Sequence, residues 1–156
     1  MKRLFYASAT YTLLGLASGL YYREFTKANS FTAADGFTQL SVVHTHLLTL
    51  GTVLMLIFLV LEKVFTLSGS KMFTPFFWVY NAGLVITAGT MVVGGTQSVL
   101  GEPGRAGIAG IAGMGHMLLT IAFVFFFIAL ASRALPKPQG ANTLADAPAH
   151  GVPART

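Results

Sequence analysis

Three histidines fall inside long apolar stretches of this sequence: His44 and His46 share one, and His116 lies in another. Neutral imidazole ligates iron, copper, zinc and nickel. An ionisable side chain at membrane depth is costly unless something partners it. Apart from tyrosine, the apolar stretches hold no other ionisable residue, so the chemistry on offer is ligation rather than acid–base work by paired carboxylates. The chain has no cysteine. That excludes disulfides, thiolate nucleophiles, iron–sulfur clusters and thiolate zinc sites. The fourth histidine, His150, sits in a polar tail and is given no role.

Spacing restricts what the three can do. Residues two apart on an α-helix diverge by about 200°, so His44 and His46 face opposite sides of their helix and cannot share one metal from a regular helix. They would serve two sites, or one would face its own bundle and the other a neighbouring subunit. At 1.5 Å per residue, all three histidines lie roughly 6–15 Å below the same membrane surface. A cofactor bridging two helices requires such a common layer. Small residues would supply the room: Ala109, Ala112 and Gly113 lie within about 60° of the His116 direction, and Gly51 lies two turns along from His44.

Haem suits this donor set best, because it asks the protein for only one or two axial ligands and an apolar slot. Divalent sites in water-accessible pores usually add carboxylates. Copper is the competitor: Met114 and Met117 flank His116, and thioether with imidazole suits Cu(I). A third possibility is a structural or assembly partner of a respiratory complex, with the histidines only hydrogen-bonded. The outer loops contribute Arg23, Lys27 and Arg105 as partners for haem propionates.

The elements that must position these residues are membrane spans. Only 10% of the 156 residues are charged, against about 25% in soluble domains. A span needs about 20 mostly apolar residues. Four stretches qualify, at approximately 4–22, 37–61, 74–100 and 107–132. They predict an all-α, integral membrane four-helix bundle over residues 1–133. The first stretch ends in Tyr21-Tyr22-Arg23 and contains Gly15-x-x-x-Gly19, a spacing that lets helix backbones approach closely; it reads as a retained helix rather than a signal peptide.

Cytoplasmic termini place Lys2, Arg3, Lys63, Lys71, Arg133, Lys137 and Arg155 inside and leave only Arg23, Lys27 and Arg105 outside. The expectation is a multi-pass protein of the cell membrane with both termini cytoplasmic. Residues 134–156, rich in Ala, Pro and Gly, read as a disordered cytoplasmic tail. The net charge of +5 sets topology here; no basic stripe interleaved with aromatics suggests nucleic acid. Glu62 and Lys63 mark a membrane boundary, where a paired surface role is expected.

Two resemblances follow from particular segments. His44-Thr45-His46-Leu47 with Leu50-Gly51, Leu61-Glu62-Lys63, Tyr80-Asn81-Ala82-Gly83 and Ile111-Ala112-Gly113-Met114-Gly115-His116 resemble a family of small four-helix bacterial membrane proteins. That family brings no function with it. His44-Thr45-His46 on the second of four helices is also similar to one four-helix arc of the haem–copper oxidase catalytic subunit, where a His-x-His serves two haems. This second resemblance implies a single arc, a homotrimer that rebuilds the ring, and haem between the second helices of adjacent subunits. His116 has no counterpart in that pattern, and neither a copper-site histidine cluster nor its paired tyrosine is present.

The reading is a membrane-embedded haem b-binding protein that forms a homo-oligomer, with a trimer favoured. It would use His44, His46 and His116 for electron transfer or diatomic-gas binding.

Overall fold

The first helix, α1 (Lys2–Ala28), has no proline and carries glycine only at Gly15 and Gly19. In this computed structural model, which describes residues 1–104 and 106–135, α1 extends six residues beyond the expected end at Tyr22. Arg23 and Glu24 stay helical and pair at 3.4 Å. Charges mark where a helix meets water, not where it stops. It ends at Asn29, whose Nδ2 donates to the Phe25 carbonyl.

Three further long helices follow: α2 (Leu40–Phe65), α3 (Phe73–Val99) and α4 (Ala106–Ala134). All three are long and apolar enough to cross a membrane. Their outer surfaces carry large apolar side chains such as Val60, Trp78 and Phe127, each about three-fifths exposed. Such surfaces are a liability in water and ordinary against lipid. Of the tail expected over residues 134–156, Ala134 still belongs to α4, and residues 136–156, with His150 and Arg155, lie outside the described residues, as does Arg105.

The helix α2 departs from the regular helix that the sequence suggests. It is α-helical over Leu40–His46, π-helical over Leu47–Val53, and α-helical again over Leu54–Phe65. It closes at Thr66 in the left-handed region, φ 53°. Glu62 is also a correction. It is buried, and its Oε2 accepts the Ser68 backbone N–H at 2.8 Å. The turn after α2 (a 3-10 turn at Leu67–Gly69) needs an acceptor for that donor, so the carboxylate faces inward instead of pairing at the surface.

The helices run alternately up and down, with α1 packed on α2, α2 on α3 and α3 on α4. The α3–α4 interface is the most extensive. No packed interface joins α1 to α4 among the described residues; α1 also reaches α3 through Tyr11 and Asn81, and α2 reaches α4 through Phe58 and Phe126, so α1 and α4 flank the central α2–α3 pair. Within lipid, packing rather than water exclusion holds helices together. At the end nearer the termini this packing is aromatic: the Phe58 ring lies 4.9 Å from Phe76, 5.5 Å from Tyr80 and 4.7 Å from Phe126. Such pairs add about 0.5–1.5 kcal/mol each beyond their contact area. The opposite end, which carries the histidines, has a groove between α3 and α4 lined in part by Gly94, Gly104, Ala109 and Ala112.

Candidate functional site

His46 is placed by the last α-helical turn before the π segment. Its Nδ1 lies 2.9 Å from the Val42 carbonyl oxygen, four residues back. His116 repeats the arrangement on α4, with Nδ1 2.9 Å from the Ala112 carbonyl oxygen. A carbonyl only accepts, so each Nδ1 must carry the ring proton. In the neutral ring, Nε2 then keeps its lone pair. A helical histidine tethered through Nδ1 has its tautomer fixed and its ligating nitrogen presented outward.

His44 differs. Its Nδ1 is enclosed by protein and has no hydrogen-bond partner among the described residues. The ring faces α1, where a β-carbon on Gly19 would sit 3.6 Å from the His44 β-carbon. Gly15, one turn earlier, receives Leu48 in the same way, and an added β-carbon there would come within 2.7 Å of its side chain. The Gly15-x-x-x-Gly19 face thus beds α1 onto α2 beside His44.

Three of the four small residues expected to line a cofactor slot stand close to other features. Gly51 is a correction: the space above it is filled by Tyr11, whose β- and γ-carbons lie 2.5 Å from where a β-carbon would be. The notch serves the approach of α1, because α1 covers the same face of α2 that carries His44. Ala109 and Ala112 line a groove of about 350 Å³ between α3 and α4, together with Gln39, Gly94 and Gln97. Gly113 opens outward with nothing within 4 Å of an added β-carbon, as do Gly107 and Gly110.

The single chain does not gather the histidines. No group of three or more His, Asp or Glu side chains close enough to hold a metal occurs among the described residues. His116 is exposed on the outer surface of α4, flanked by the exposed Met114 and Met117. Below it, Phe127 with Thr120 and Val124 lines a shallow apolar groove on the same surface.

Several residues that fix this geometry carry no obvious signal in the sequence. Gly83 and Gly115 let the backbones of α3 and α4 touch: a β-carbon on Gly115 would lie 2.5 Å from Thr87 Oγ1, and one on Gly83 would lie 3.0 Å from the Gly115 carbonyl oxygen. That crossing sets the position of His116, one residue further on. Tyr11 donates to Asn81 Oδ1 at 2.7 Å, tying α1 to α3. The side-chain oxygen of Gln97 is enclosed and has no hydrogen-bond partner among the described residues, as is the case for the Thr87 hydroxyl. Tyrosine, asparagine and glutamine are uncharged, and a search for ionisable groups at membrane depth passes over them.

Over residues 1–133 the chain matches the family described as "Protein of unknown function (DUF2871)", and it belongs to that family. No curated protein and no solved structure matches it.

Proposed function

We propose that this member of the family is a four-span membrane protein that holds haem b through histidine axial ligands where copies of the chain meet. The observation that carries the reading is the tether of His46 and His116 through Nδ1, which leaves Nε2 of each as a free donor. The donor set fits haem: imidazoles on apolar helices, with no carboxylate beside them among the described residues to favour another metal.

An imidazole exposed on the lipid-facing surface of α4 is costly in hydrocarbon unless a partner reaches it. Within one chain it belongs to no group of three or more His, Asp or Glu side chains close enough to hold a metal among the described residues, so a second copy is the natural source of the remaining surface. A closed ring of copies would supply it, and a trimer is favoured by the resemblance to a haem–copper oxidase arc. In that ring α1 would also span the membrane, since Leu13, Leu16 and Leu20 are each about three-fifths exposed or more. Both termini would be cytoplasmic, on the side richer in Lys and Arg.

Bound haem would supply one-electron transfer where two histidines fill its axial positions, or an open position for a diatomic gas where one does. The protein's own contribution is to fix the imidazole tautomers through Val42 and Ala112 and to keep water and competing carboxylates away from the ligating nitrogens.

A reduced-minus-oxidised visible spectrum of the protein in mild detergent, with pyridine haemochrome quantitation, tests this. A b-type signal lost in His46→Gln or His116→Gln is the expected result. A colourless protein from haem-replete cells overturns the haem reading. Met114 and Met117, both exposed and flanking His116 in the sequence of α4, favour copper as the second reading. Loss of bound copper in the Met114→Leu/Met117→Leu double variant, with no haem signal in the parent, would select it.

A further inference from the structure

The groove between α3 and α4 has features of its own that the haem reading does not use. It lies at the histidine end, where the last turns of α3 face the start of α4 and the chain leading into α2. Two amides line it. Gln97 brings a side-chain oxygen that is enclosed and accepts no hydrogen bond among the described residues. The Gln39 oxygen lies 3.1 Å from where a β-carbon on Gly94 would sit, so its amide spans the glycine.

Four properties of a ligand follow. It is uncharged, because no Asp, Glu, Lys, Arg or His is among the described residues lining the groove. Its walls are Gly94, Gly104, Ala109 and Ala112, and residues this small leave a slot suited to a flat group. It carries a hydroxyl, because an enclosed acceptor without a donor is costly and a ligand O–H relieves that cost once the amide turns toward it. It is soluble in the membrane, because the remaining lining, including Phe37 and Ile108, is apolar and sits at the ends of spanning helices.

We propose that this groove binds the head group of a lipid-soluble quinone in its hydroxyl-bearing, reduced form. Gln97 accepts a phenolic O–H, and the Gln39 amide serves the oxygen across the ring. A volume of about 350 Å³ is at the small end of ligand sites and suits one ring with its substituents. A phospholipid head group fits less well, because its phosphate would find no cation among the described lining residues. Ala112 links the groove to the histidines, since its carbonyl anchors His116. Binding itself does not depend on haem being present.

The test is photolabelling of the full chain in detergent micelles with a short-chain azidobenzoquinone under reducing conditions, followed by mass-spectrometric mapping. Label is expected at residues 94–98 and 108–112, displaced by excess short-chain benzoquinol. Gln97→Leu should lower it about tenfold, the scale of one hydrogen bond to an otherwise unsatisfied acceptor. Ala109→Phe, which fills the groove from the other wall, should abolish it, with gel filtration confirming that both variants stay folded. Label spread evenly over the lipid-facing helices, label unchanged in both variants, or displacement equally well by phospholipid overturns the proposal. A colourless protein that still labels at these residues would sink the haem reading alone, and a haem-loaded protein without specific label would sink the quinone site alone.

Discussion

The hydroxyl of Tyr80 on α3 donates to the carbonyl oxygen of Leu50, 2.9 Å away, within the π segment of α2. Tyr80 is the largest fully buried side chain in the bundle, and a buried phenol needs a partner. The π segment begins directly after His46, so this bond steadies the helix where a ligand must be aimed. Tyr80→Phe removes the donor and leaves a buried acceptor. The expected cost is about 1–2 kcal/mol, read as a lower melting temperature in detergent. Amide hydrogen exchange should accelerate first over residues 47–53. Unchanged exchange there would show that the bond does not hold the π turn.

Gly115 and Gly113 are two residues apart on α4 and should respond oppositely to the same substitution. A methyl group at Gly115 meets Thr87 Oγ1 at 2.5 Å and the Thr87 backbone nitrogen at 3.0 Å, whereas one at Gly113 meets nothing within 4 Å. Gly115→Ala should therefore cost about 1–3 kcal/mol through overpacking at a backbone crossing. Gly113→Ala should be neutral or stabilise by up to about 1 kcal/mol, the helix-propensity difference. Thermal melts of the two variants decide it, and equal losses would contradict the crossing described here.

The physical reasons why some of this was legible in the sequence are specific. Charge-free runs reveal long apolar helices because the hydrocarbon core tolerates little else. The Gly15–Gly19 spacing announces close packing, and its partners prove to be Leu48 and His44. The two-residue offset of His44 and His46 holds because α2 is regular up to His46. What failed depended on partners distant in sequence. Gly51 reads as room beside His44, but only the course of α1 reveals that Tyr11 fills it. Nothing local distinguishes Leu47–Val53 as a π segment, since its stabilising donor comes from Tyr80, some thirty residues away. Glu62 reads as a surface charge at a membrane boundary until the following turn is seen to need its oxygen.

Asp35 carries a pH dependence in the loop before α2. Its Oδ2 accepts from the Thr32 backbone N–H at 2.7 Å and from the Thr32 hydroxyl at 2.8 Å. The backbone bond first, and then the hydroxyl, holds the carboxyl below its ordinary value of 3.8. A lowered value in the folded loop means the stabilisation is fully present above the unfolded pKa and fades as pH falls through the folded one. The loop should therefore stay ordered down to below about pH 3.9, the free aspartate value. A carbon-13 titration of the Asp35 carboxyl in micelles checks it: the midpoint should lie below 3.8 and rise in Thr32→Ala. A midpoint at or above 3.8 in the parent would show that the turn is not closed in solution.

His116 offers the sharpest separation of structure from function. Its ring is exposed on α4, and the one hydrogen bond the ring makes among the described residues runs to a carbonyl of its own helix. Replacing it with leucine removes no contact between helices, so protein prepared without haem should change in stability by no more than about 0.5 kcal/mol, as at other exposed positions. If His116 is an axial ligand, the same substitution should erase most of the stabilisation gained on adding haem, because a ligand that binds only the folded state raises its stability by mass action. The measurement is a pair of melting curves, with and without haem, for parent and His116→Leu. A large loss in the haem-free pair would mean that His116 is structural. An identical haem-induced shift in parent and variant would remove it from the coordination sphere and leave His44 and His46 as the ligands.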